Sequence, residues 1–498
     1  MGLKAVTFDK WDQDYGDRGA RWAAGEGPGW YTALNMWKYD NGAIGPRPGL
    51  KKYTLTSAPN GNVRALGYYA ETPRICYVVG TGLYSFNPVT MTSQAVVTAT
   101  GTLNAGTEPV AFGGYLSADM YLTHRDDTSY TWNQGTNTLA AIFGSPGGRC
   151  MVRYQDRFYV GDTGAGQEQR VAFSNAADFA TWDWLSYFDV DYDYNIFSLH
   201  AGSSRLIIHS SQNVWVMTGT PGTNSLRQVL RAGGVGLREG TYAVVPDGDE
   251  YWFVCANKFS PGWTNAALYD TVRYDMLKLD SSTRMFGSPA EPTMLMLGVT
   301  NQLIRHNDTW TRHSWGETLA VVATDWGSGE ATNQGYFVIT TTPGASAPAD
   351  FYCFDANNST RPGFTSDTYS NVGDGSSTPE TMYLYTSEVL SKDGSELTVR
   401  EVKVDFTKWA TGSASTNHFD IKVRATALYD TSGSRDSQTE AFDEAGTSAT
   451  TTGVEQRANF TFGDQGSGAG FQIRLDNIRG CAIRAIHVIY DESPGRAR

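Results

Sequence analysis

Positive charge is scarce in this sequence of 498 residues, in which 39 Lys and Arg face 52 Asp and Glu for a formal net charge of −13. The cations are also scattered, with no cluster larger than short pairs such as Lys51-Lys52. Gripping nucleic acid by phosphate neutralisation needs clustered Lys and Arg, so that function class is excluded. An acidic surface serves ordinary solubility, and it also suits something that DNA passes without sticking. Cysteine is scarce too. Cys76, Cys150, Cys255, Cys353 and Cys481 are far apart and odd in number, which argues for reduced core thiols over a disulfide framework or a metal site. No apolar run approaches the length of a membrane span, so no membrane anchor is expected. Met1-Gly2-Leu3-Lys4-Ala5-Val6 lacks the apolar core of a signal peptide and the Ser or Thr that myristoylation wants at position 6. Synthesis in the cytoplasm follows, and the sequons at Asn307, Asn358 and Asn459 read as chance. Helical periodicity is nearly absent; Asn175 to Leu185 could form a turn or two.

What the chain has instead is 54 Gly and 13% aromatic residues beside only 18% charged ones. Aromatic and β-branched residues suit a half-buried pleated surface, and glycines supply tight turns. The chain is too aromatic for disorder and too long for one ordinary core. It is expected to be all-β, with two or three units.

A strand pair recurs, its second strand ending in an aromatic or Met before a turn residue. Leu83-Tyr84-Ser85-Phe86-Asn87, Ser129-Tyr130-Thr131-Trp132-Asn133, Val171-Ala172-Phe173-Ser174-Asn175 and Val214-Trp215-Val216-Met217-Thr218-Gly219 are the first four. Val272-Arg273-Tyr274-Asp275 and Phe351-Tyr352-Cys353-Phe354-Asp355 follow. Each comes after another apolar strand: Ile75–Val79, Met120–Thr123, Arg157–Val160, Leu206–His209, Tyr251–Cys255 and Tyr336–Thr340. The first four repeats step by roughly 40 to 46 residues, the length of a four-stranded propeller blade. The later steps are longer, which leaves insertions or a cryptic blade between Gly287 and Gly327.

A lone hairpin cannot bury its apolar face, and radial stacking supplies the partner. Residues 61–361 are therefore expected to form a β-propeller of six or seven blades, with Phe86, Trp132, Phe173 and Tyr274 buried between sheets. Two β-sandwiches with similar hairpins are the alternative. Residues 1–60 read as an extended N-terminal lead-in, and the Gly/Ser/Thr/Pro-rich stretch 362–380 as a linker. Beyond it, Leu397 to Phe406 and Phe471 to Asp476 alternate apolar and polar residues, the pattern of antiparallel sheets with one wet face. Residues 381–498 read as a small C-terminal β-sandwich.

Candidate chemistry is sparse. Asp189, Asp191 and Asp193 place oxygen ligands at alternate positions, as at the start of a calcium loop. However, the sixth position is Tyr194 rather than Gly and the twelfth is His200 rather than Glu. A solvated acidic strand edge is the competing reading. Ser174 to Trp182 superficially resembles the Asp box of sialidases, but its Asp178 is displaced and the Gly is missing. Asn307-Asp308-Thr309-Trp310 fails in the same way. Some carboxylate pair is always available among 52 acidic residues, so glycoside hydrolysis stays open on that count. There is no G-x-S-x-G, no Walker Gly-Lys-Ser/Thr, no C-x-x-C and no H-x-x-x-H on a helix. No catalytic residue and no cofactor is assigned.

Three regions carry a resemblance. Asn35 to Gly49, ending Asn41-Gly42-Ala43-Ile44-Gly45-Pro46-Arg47-Pro48-Gly49, resembles the opening of many phage tail hub proteins. Arg157-Phe158-Tyr159-Val160-Gly161, with Arg170 to Ser174 and Asp178 to Trp182, is similar to a blade of that family; Leu206 to His209 with Asn213 to Gly219 is similar to the next. Gly468 to Ile473 and Arg479 to Arg484 resemble its closing sandwich. The family is that of the tail nozzle proteins of short-tailed bacteriophages (tail tubular protein B and packaged-DNA stabilisation proteins). The resemblance implies a structural virion protein forming a ring, commonly a homohexamer, below the portal and adaptor. Its partners would be further copies of itself, the head-to-tail adaptor, tail fibres or spikes, and double-stranded DNA passing without specific binding. Asp247, Asp249 and Glu250 are then candidates for an acidic lumen. The rival reading is a carbohydrate-binding or glycan-cleaving propeller; a secreted adhesin is a third, disfavoured by the missing signal peptide.

Overall fold

A computed structural model describes residues 3–9, 11, 21–23, 30–38, 42–46, 50–90, 93–106, 109–183, 185–190, 195–202, 204–210, 214–219, 221, 226–230, 244–247, 250–255, 258–261, 284–287, 294–297, 302–306, 309–313, 318–323, 337–341, 347–354, 382–391, 395–408, 416–426, 434–436, 439–445, 455–462 and 467–493. The local rule is clearest in the first repeat. Arg74–Val79 runs into Gly80, whose φ of +57° costs nothing without a Cβ, and Gly82–Phe86 returns antiparallel with Gly82 opposite Val79. Val63–Tyr69 pairs the other side of Arg74–Val79, and Val97–Thr98 completes a four-stranded meander.

This unit repeats. Blade 2 holds Val110–Leu116, Asp119–His124, Ser129–Asn133 and Thr138–Ala141; blade 3 holds Cys150–Tyr154, Arg157–Gly161, Arg170–Phe173 and Tyr187–Asp189. Blade 4 holds Ile196–Ala201, Arg205–Ser210, Val214–Thr218 and Leu226–Leu230. Blade 5 contributes Val244–Asp247, Glu250–Cys255 and Lys258–Pro261 among the described residues. Blade 6, Arg284–Gly287, Met294–Leu297, Gln302–His306 and Thr309–His313, occupies the stretch where the repeat spacing lengthens. Blade 7 holds Thr318–Ala323, Phe337–Thr341 and Phe351–Phe354, and its fourth strand is Leu50–Lys52 from the other end of the chain. The first strands of successive blades touch one another in order, and that of blade 7 touches that of blade 1. The sheets therefore close into a seven-bladed β-propeller.

The blades are held by apolar layers between sheets. Tyr53, Tyr77, Phe86 and Phe351 fill the seam between blades 7 and 1, with Phe86 fully buried and its ring 5.1 Å from that of Phe351. Trp132 is buried between blades 1 and 2, edge-on to Tyr69. Phe173 packs between blades 3 and 4 but is only half-buried. Tyr274, and the Val272–Asp275 strand expected around it, lie outside the described residues. The expected helical turn at Asn175 to Leu185 is instead a pair of tight turns, Ala177 taking φ +56°. Phe179 and Trp182 anchor it in the layer between blades 2 and 3.

The second unit is a β-sandwich. Cys481–Ser493 is central to one sheet, pairing with Glu396–Lys408, which in turn pairs with Glu455–Thr461. Gly470–Arg479 is central to the other, pairing with Thr416–Thr426, Tyr383–Thr386 and Glu388–Leu390. Val404, Phe406, Phe419, Ile473 and Val488 lie fully buried in its core. The described parts of residues 1–60 are built into the two units instead of forming an extended lead-in. Leu3–Phe8 pairs along Cys481–Ser493, Ile44–Pro46 joins the same sheet, and Trp30–Leu34 joins the other beside Tyr383–Thr386. The reason is apolar: Val6, Phe8, Trp11 and Met36 have a face to bury, and the sandwich core takes all four. Trp30–Leu34 also pairs in parallel with Thr309–His313, so blade 6 and the sandwich share a continuous sheet. The stretch 362–380 lies outside the described residues. Cys76, Cys150 and Cys481 are buried free thiols, and burial pushes the latter two up to about 12. They are inert core residues.

Candidate functional site

Three polar arrangements stand out from this apolar framework. The first runs along one rim of the propeller, where the second strand of each blade ends. In blade 3 that strand delivers Asp162, fully buried and at φ +55°. Arg125, from the same point in blade 2, donates from Nε to both carboxylate oxygens at 3.1 and 3.2 Å, and from Nη2 at 3.1 Å. Arg149 brings its Nε within 2.9 Å of the same group as an ion pair, without hydrogen-bond alignment, while its guanidinium lies over Phe197 of blade 4. Burial pushes the Asp162 carboxyl upward from its ordinary value, and the two guanidiniums pull against it. Arg64 of blade 1 donates to the Gly80 carbonyl at 2.8 Å and lies 3.2 Å from Nε2 of His124 in blade 2. Polar contacts thus tie blades 1, 2 and 3, and the Arg149 guanidinium over Phe197 extends the chain to blade 4. In blade 4 the corresponding residue is Ser210, and His209 just before it is fully buried, its pKa lowered by burial to about 3 with help from His200. Arg64 with His124, Arg125 with Asp162 and Arg149 over Phe197 each reach from one blade to the next, which makes the rim a brace between sheets.

The second arrangement crosses the wet face of the sandwich. Thr7 stands opposite His487, and Asp405 opposite Arg457, on adjacent strands. Thr7 Oγ1 lies 2.9 Å from His487 Nδ1, and His487 Nε2 lies 2.9 Å from Asp405 Oδ2. Hydroxyl, imidazole and carboxylate in line is the layout of a nucleophile relay. Here, however, Arg457 donates to both oxygens of Asp405, at 2.5 and 2.7 Å, and holds its pKa down to about 2, with His487 adding to the effect. The row is a cross-strand polar ladder.

The third is a cleft of about 850 Å³ on the face of blade 1, between the turn Gly80 to Gly82, the approach Asn60 to Asn62, and the loop past Thr98. Arg64 is the single charged residue lining it, alongside Tyr84 and several Asn and Thr.

The residues singled out from sequence fall elsewhere. Asp189 is opposite Arg170 in blade 3 and accepts from its Nε at 2.9 Å, with the guanidinium over the Tyr187 ring. Asp191 and Asp193 lie outside the described residues, among which no three His, Cys, Asp or Glu are grouped to hold a metal. Asp247 and Glu250 face each other in the hairpin closing the first two strands of blade 5; Asp249 lies outside the described residues. In the Asp-box lookalike, Asp178 accepts from the Ala180 N–H at 3.2 Å and Trp182 donates to the Phe179 carbonyl, so both build the turn. Sequence reasoning missed Arg64, His124, Arg125, Arg149 and Asp162. Aligning the blades by their second strand shows the signal, a polar residue closing the apolar run at His124, Asp162 and Ser210. It also missed Thr7, Asp405, Arg457 and His487, which only the register brings together.

No protein-family model matches the chain, and no curated protein does. Solved structures similar to it include PorZ, a bacterial surface component of the type-IX secretion system of Porphyromonas gingivalis (9% identity, TM-score 0.39, 60% of this chain). The chain spans 39% of the length of PorZ. The Pan2 WD40 domain of Neurospora crassa is similar at 9% identity and TM-score 0.40 over 59% of this chain and 89% of that one. The computationally designed Ika8 protein is similar at 11% identity and TM-score 0.37 over 58% of this chain and 83% of that one. At these scores the propeller rests on its own strand order.

Proposed function

We propose that this chain is a structural virion protein, a tail nozzle or hub subunit that forms a ring through which a phage genome is retained and then leaves. The observation that carries this reading is the set of segments resembling tail nozzle proteins, at Asn35 to Gly49, Arg157 to Gly219 and Gly468 to Arg484. The architecture is in keeping with it. A propeller braced across its blades and joined by a shared sheet to a sandwich is a rigid building block. The polar groups described above stabilise strands and blades.

On this reading the protein sits in the virion tail and contacts copies of itself, commonly six, the head-to-tail adaptor, and fibres or spikes. The net charge of −13 supports an acidic lumen, with Asp247, Asp249 and Glu250 as candidates for its wall. Carboxylates keep DNA off the wall, whereas Lys or Arg would recapture phosphates at each step and act as a brake. Electron microscopy of the purified protein, alone and with its neighbouring tail proteins, tests the reading. The expected result is a ring with an acidic channel. A protein that forms no ring on the tail, or a channel lined with Arg and Lys, overturns it.

A further inference from the structure

The cleft on blade 1 has a chemistry that the conduit does not call for. Its single charge, on Arg64, is already engaged by the Gly80 carbonyl and by His124. The rest of the lining is uncharged, and Asn60, Asn62, Thr81, Tyr84, Thr98 and Thr102 are its hydrogen-bonding members, set among apolar residues and glycines. Among the described residues, none of these six side chains hydrogen-bonds another protein group. Among the described lining residues a cation would find no counter-charge, an anion would meet only a guanidinium already turned to Gly80 and His124, and a wholly apolar ligand would leave amides and hydroxyls without partners. Amide and hydroxyl groups both donate and accept, which matches neighbouring hydroxyls on a sugar ring.

Glycines keep the space open. Gly80, at φ +57°, faces open space where a Cβ would stand. A Cβ at Gly82 would lie 2.5 Å from the Tyr84 hydroxyl, so glycine there lets the phenol lie across the turn. Tyr84 is held from the other side by stacking on the buried Tyr77 at 5.6 Å, which fixes its hydroxyl in advance. A volume of about 850 Å³ lies within the usual range for small-ligand sites and accommodates two or three sugar units.

We propose that this cleft binds a neutral oligosaccharide, with Asn62, Thr81 and Tyr84 as its hydrogen-bonding groups. The proposal stands independently of the tail reading, because it needs neither a ring nor DNA. The full-length protein would be titrated, by saturation-transfer NMR and calorimetry, with maltotriose, cellotriose, chitotriose and lactose, and with 3′-sialyllactose as the anionic counterpart. Saturable binding of at least one neutral sugar is expected, and sialyllactose should bind no better than lactose. Tyr84→Phe keeps the ring stack and removes the hydroxyl, and Asn62→Ala with Thr81→Ala removes two more partners; each should weaken binding about tenfold. Gly80→Asn, a residue that tolerates positive φ, should block the cleft while leaving the thermal unfolding midpoint near that of the parent. Binding of none of the four neutral sugars, preference for the anionic sugar, or binding untouched by all three variants would each overturn the proposal.

Discussion

Lys52 and Asp350 meet at 2.6 Å across the seam where the two distant parts of blade 7 join. Both side chains are substantially exposed, so the pair contributes little, about 0–1 kcal/mol. The seam is held by what lies behind it: Tyr53, 2% exposed, whose N–H donates to the Phe351 carbonyl and whose ring packs on Phe86. Asp350→Ala should therefore shift the urea midpoint barely, whereas Tyr53→Ala should cost on the order of 3–5 kcal/mol. Equal effects from the two would show that the seam is electrostatic after all.

The rim brace predicts a different kind of loss. Asp162→Asn suits the positive φ but leaves Arg125 and Arg149 facing a neutral amide in a buried place. The expected cost is roughly 3–5 kcal/mol in equilibrium denaturation. Replacing Asp189, partnered on the outer edge of blade 3, should cost far less.

Acid should act in two windows. His209 is buried neutral with its pKa lowered to about 3, while in the unfolded chain it takes a proton near 6.5. Its contribution is complete above pH 6.5 and is lost progressively as pH falls toward 3. Asp405 is lowered to about 2 by Arg457, so its contribution is present above its unfolded value of 3.8 and disappears as pH falls toward 2. Unfolding midpoints measured against pH should show both slopes. His209→Phe should flatten the first and Asp405→Asn the second; an unchanged first slope in the His209 variant would exclude that histidine as its source.

The repeat aromatics give a graded series. Phe86→Ala and Trp132→Ala remove fully buried rings and should each cost about 3–5 kcal/mol. Phe173, half-buried beneath the Arg157 guanidinium, should cost clearly less on the same scale. A flat series would mean that the layers between blades repack freely.

The blades were legible because each second strand is a dense apolar run followed by a turn, as in Ile75 to Gly80 and Leu206 to Ser210. Blade 6 was harder: Gln302–His306 and Thr309–His313 mix Arg and His into the strands, which hides the alternation. Leu50–Lys52 was illegible as a propeller strand, since three residues with two lysines carry no periodicity and the partner is 300 residues away. A still longer separation hid the role of Leu3–Phe8, whose partner strand is Cys481–Ser493. The polar arrangements were the least legible part. Arg125 with Asp162, or His487 with Asp405, is a relation between sheets or strands, and composition along the chain carries no trace of it.

The pairing of Leu3–Phe8 with Cys481–Ser493 has a consequence for how the protein is made. Val6 emerges from the ribosome 482 residues ahead of its partner Val488. At typical rates of synthesis the wait is on the order of 25–100 s. During it the apolar face of Val6 and Phe8 has no sheet to join and is open to chaperones. Leu50–Lys52 can dock as soon as Phe351–Phe354 appears, so the propeller can seal while the sandwich still lacks its central strand. A chain cut short before Cys481 would carry a finished propeller and an unfinished sandwich, marking itself for degradation instead of assembly.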